Sequence, residues 1–113
     1  MKVDELLANA RDLVGEVVAI EGYFVFVDEE GFVVESSEKR ADKQRAIKVV
    51  VDGLKKRMLA RVPPLGGGKY YYLHKAAITG RLSPCTDGEF SYALVDVVSL
   101  QVETSCESFC AIP

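Results

Sequence analysis

Apolar positions along this chain change period several times, and each change predicts an element. Leu6, Leu7, Ala10, Leu13 and Val14 recur at helical spacing. With Asp4 as N-cap and Gly15 at the C-terminal cap, a helix is expected over about 4–13. From Glu16 to Val27 the residues become β-branched and aromatic, broken only by Gly22, which reads as one long strand. Asp28-Glu29-Glu30-Gly31 reads as a turn, and Phe32-Val33-Val34-Glu35 pairs back as a second strand. Residues 36–45 carry no apolar side chain larger than alanine and are expected to form an exposed loop. Ile47 to Val51 resumes the strand pattern. Leu54, Met58, Leu59 and Val62 then return to helical spacing, with Lys55, Lys56, Arg57 and Arg61 between them, until Pro63-Pro64 stops the helix. Leu65-Gly66-Gly67-Gly68 is a loop, and Tyr70-Tyr71-Tyr72-Leu73 leads into a strand from Lys75 to Ser83. A turn at Pro84 to Glu89 and a last long strand from Phe90 to Glu103 follow. The tail from Thr104 to Pro113 reads as a terminal turn.

Two strands carry the same phrase: Val18-x-Ile20-x-Gly22-x-Phe24 and Ala76-x-Ile78-x-Gly80-x-Leu82. A glycine inside an alternating apolar run weakens a strand unless a bulge, a sharp bend or a close backbone approach needs it. Two such strands point to a small, strongly curved barrel. The expected fold is therefore a single all-β domain over residues 1–113, with a helix ahead of five strands and a short helix between strands 3 and 4.

Length and composition agree with one core in one domain, since the chain has 113 residues of which 49% are hydrophobic and 27% charged. No run is apolar enough or long enough to span a bilayer, so no membrane association is expected. The start, Met1-Lys2-Val3-Asp4-Glu5, places acids where a secretory signal would be apolar, and three cysteines fit a reducing compartment, so a cytoplasmic location is expected.

The net charge of -3 conceals a segregation. Residues 1–38 hold two bases against ten acids, and residues 82–113 hold five acids and no base. Residues 39–81 hold twelve bases against only Asp42 and Asp52, a local charge of +10. Such a sector either meets phosphates or an acidic partner, or faces the acids of the two ends as a solvated surface.

The order of elements, helix, three strands, helix, two strands, is that of the five-stranded OB-fold Greek-key barrel. The stretch from Gly15 to Phe24 resembles the first strand of the anticodon-binding-type OB domains, and Ala76 to Leu82 resembles their fourth. The likeness runs over about residues 12–103 in order and kind. It implies a binding module whose ligand is single-stranded DNA or RNA, held on the face of strands 2 and 3 and by the loops joining strands 1 to 2 and 4 to 5. In this chain those loops carry Asp28, Glu29, Glu30, Asp87 and Glu89, which repel phosphate. The bases left for phosphate contact are Lys39, Arg40, Lys43 and Arg45 in the loop after strand 2, Lys48 on strand 3, and Lys55, Lys56 and Arg57 on the helix. Tyr70, Tyr71 and Tyr72 are the candidate base stackers, with Tyr23, Phe24, Phe26 and Phe32 as further aromatics whose default place is the core.

Other chemistry is sparse. Cys106 and Cys110 would share a face on a helical turn, and Cys85 with His74 could complete a tetrahedral set, but the spacing matches no zinc knuckle, so no metal and no cofactor is expected. A Cys106–Cys110 disulfide or free thiols are the competing readings. Gly66-Gly67-Gly68-Lys69 lacks the frame of a phosphate loop, and His74 has no nucleophile at a motif position, so no catalysis is expected. Two functions stand: a nucleic-acid-binding module, or a protein-interaction or self-assembly domain whose acidic ends meet the basic middle of another molecule.

Overall fold

The structure is a computed structural model that describes residues 1–27, 29–39, 42–63, 72–85, 89–104 and 107–112. Its organising element is β1 (Val17–Val27), which pairs antiparallel with both β2 (Glu30–Val34) and β4 (Tyr72–Pro84). β2 pairs with β3 (Ile47–Val49), and β4 with β5 (Tyr92–Glu103). The ring closes where β3 runs parallel to the start of β5, Ile47 opposite Tyr92 and Val49 opposite Leu94. The expected five-stranded barrel is therefore formed, with helices α1 (Val3–Ala8) and α2 (Ala10–Leu13) before it and α3 (Leu54–Arg61) between β3 and β4.

Even-numbered residues of β1 and β4 fill the interior. Val18, Ile20, Phe24 and Phe26 from β1 meet Tyr72, Ala76, Ile78 and Leu82 from β4, all buried in one cluster with Leu94, Leu100 and Val102 of β5. The two glycine phrases pair with each other, running antiparallel with Val18 opposite Gly80, Ile20 opposite Ile78 and Gly22 opposite Ala76. Each glycine answers a separate steric demand. A Cβ on Gly22 would collide with the Val34 carbonyl oxygen and come within 2.9 Å of Val3 Cγ2 and Val33 Cγ1. A Cβ on Gly80 would stand 3.1 Å from the Val95 carbonyl oxygen and 3.2 Å from Val97 Cγ2, where the β4–β5 register shifts and Asp96 adopts φ 49°.

Several boundaries differ from expectation, each for a local reason. The N-terminal helix begins at Val3 and breaks at Asn9, whose amide side chain donates to the Glu5 carbonyl at 2.9 Å. Lys2, not Asp4, occupies the cap position, because the Asp4 carboxylate is held by Lys39 and Arg45 instead. β3 ends at Val49, and β4 begins at Tyr72, earlier than Lys75. The segment 36–45 is not featureless: it makes 3-10 turns at Ser37–Lys39 and Lys43–Arg45.

The largest correction concerns the tail. Instead of a terminal turn it adds β6 (Ser108–Ile112), antiparallel to β5 through Leu100–Ile112 and Glu103–Ser108. β3 covers only the first residues of β5, so the far half of β5 offers a free edge that β6 satisfies. Ala111 and Ile112 bury against the main core, and β6 packs on α3. Among the described residues, no helix is long and apolar enough to cross a membrane.

Gly22→Ala is expected to lower stability by about 1–3 kcal/mol through overpacking against a backbone oxygen, more than Gly80→Ala, whose new methyl would sit 3.1 Å or more from its neighbours. Urea unfolding midpoints of the two variants check the order.

Candidate binding surface

Residues on the opposite side of β1 and β2 from the core build a second apolar cluster. Val25, Val27, Phe32 and Val34 are buried there with Ala46, which ends the β2–β3 connection, and Phe90, which comes from the β4–β5 connection. A ligand was expected on the face of strands 2 and 3; this cluster covers the β2 part of that face, Phe32 and Val34, with the chain's own side chains. The Phe90 ring lies 5.4 Å from the Phe32 ring, tilted by 54°. Lys43 Nζ stands 5.9 Å and Lys48 Nζ 5.6 Å from the Phe90 centroid, so two cations sit over its face.

The bases of the middle sector are drawn onto the acids of the two ends. Lys43 Nζ donates to Glu30 at 2.9 Å and to Glu89 at 3.0 Å, joining the start of β2 to the β4–β5 connection. Lys39 and Arg45 converge on the Asp4 carboxylate of α1 at 3.2 and 3.1 Å. Lys55 holds Glu29 at 2.7 Å. Glu29 itself lies at φ 64°, a left-handed conformation rare for a residue with a Cβ. Arg81 meets Asp96 at 3.5 Å beside the β5 irregularity. Lys43 and Glu30 are each 26% exposed, the best shielded of these pairs; the more exposed ones contribute about 0–1 kcal/mol apiece.

Ionisation follows these contacts. Burial alone would raise the Asp4 carboxyl, but hydrogen bonds from Arg45 and Lys39 and their charges outweigh it and hold the group below its ordinary value. Hydrogen bonds to Glu30 and Glu89 push the Lys43 ammonium up against the opposing effect of burial. Desolvation raises the Tyr72 phenol and lowers the His74 imidazole.

The candidate residues divide accordingly. Lys39, Lys43, Arg45 and Lys55 are engaged by acids, and Lys48 lies over Phe90. Lys56 and Arg57 are exposed on α3 with no ion pair among the described residues. Arg40, Tyr70 and Tyr71 lie outside the described residues. Tyr72 is not an exposed stacker: it is fully buried, packs 6.3 Å from Phe24, and donates its hydroxyl to the Val62 carbonyl at 2.7 Å. Phe24 and Phe26 are core residues, Phe32 lies under Phe90, and Tyr23 is half-buried.

Glu30, Glu89, Asp4 and Phe90 were not among the sequence candidates, yet they determine this surface. Glu30 and Glu89 read as repellents of phosphate and Asp4 as a helix N-cap, whereas in the fold all three accept from lysine or arginine. The segregated charge was the available signal.

Elsewhere, a shallow groove of about 370 Å³ runs over β1, β4 and β5 between Lys2, Glu21, Tyr23, Glu35, Lys75 and Glu103. Its mixed charge and open shape select no single ligand chemistry. His74 and Cys85 are separated by the length of β4, and Cys110 lies in a strand rather than on a helical turn. Cys106 is outside the described residues, and among those described no cluster of His, Cys, Asp or Glu suits a metal ion.

His74 Nε2 is buried without a hydrogen-bond partner. Its folded value is depressed, so the unfolded chain binds more protons in the window just below the usual imidazole value of about 6.5. Stability is expected to be full above that pH and to fall as pH drops through the window, and His74→Phe should flatten this segment of a pH series of urea midpoints. No protein-family model matches this chain, and no curated protein matches it.

Proposed function

We propose that this chain is a non-catalytic OB-type binding module that works through protein contacts. The observation that carries the reading is the closed outer face of β1 and β2. Phe90 occupies the position over Phe32 where a base would stack, and Lys43 is already bound by two carboxylates. A single strand would have to displace an aromatic contact and break ion pairs before meeting a free cation on that face. The strand order β3-β2-β1-β4-β5 with its parallel β3–β5 seam supports the OB-type assignment.

A second reading, binding of single-stranded DNA or RNA, is favoured by the exposed, unpaired Lys56 and Arg57 together with that strand order. Here Lys55, the loop bases Lys39, Lys43 and Arg45, and Lys48 on β3 would contribute once released from their present partners, together with Arg40.

Titration of labelled oligo-dT and oligo-rU at low salt separates the two. The protein-contact reading expects no saturable binding. Salt-sensitive binding that weakens in Lys43→Glu and Arg45→Glu variants would overturn it in favour of nucleic acid.

A further inference from the structure

We draw no further inference here: the strongest candidate, the apolar surface of β1 and β5 where Val17, opposite Arg81, and Val98 are exposed, is unpartnered and nothing in the structure shows what covers it.

Discussion

One close approach of backbone to backbone governs this barrel. β1 must serve two neighbours, pairing with β4 along nearly its whole length and with β2 along its second half, and it can do both only by coiling. At the point where the two pairings overlap, Gly22 lies against the Val34 carbonyl and under the Val3 side chain, a space with no room for a Cβ. That single absence lets α1 seat on the barrel, with the Glu21 amide donating to the Met1 carbonyl at 2.8 Å. It also carries the alternation across the bend, so that Val18, Ile20, Phe24 and Phe26 remain inside while Val25 and Val27 face the second cluster.

Charge follows geometry in the same way. Acids and bases that lie far apart in the chain are brought within hydrogen-bond distance once the barrel closes, Lys43 to Glu89 and Arg45 to Asp4 among them. These pairs lie on the surface and contribute little stability individually. Their effect is to engage Lys39, Lys43 and Arg45 on the β2–β3 side, whereas Lys56, Arg57 and Arg61 on α3 meet no carboxylate among the described residues. The second apolar cluster acts on the same face, since Phe90 and Ala46 keep Phe32 from solvent. The barrel thus presents a sealed strand face and an open helix face.

Much of the fold was legible because periodicity and punctuation are local. The long first strand, the hairpin that follows, α3 with its buried Leu54 and Met58, and the paired glycine phrases were all readable from spacing. The failures share a cause. The tail read as a terminal turn, and only the uncovered far half of β5 makes it a strand. Tyr72 read as exposed because it ends a tyrosine run, and only the Val62 carbonyl and the Phe24 and Phe26 rings make it a core residue. The break at Asn9 depends on a side-chain bond to Glu5 that competes with helix propagation.

What the sequence determined by itself was the five barrel strands, the helix between the third and fourth, and the barrel they close into, because alternation, β-branching and two interrupting glycines act over neighbouring residues. Tertiary structure alone decided which surface remains open. Whether Lys43 is a free cation or a bridged one depends on where Glu30 and Glu89 arrive, and whether Phe32 is exposed depends on where Phe90 lands. Those distances are set by strand register across the barrel, and no local pattern in the chain encodes them.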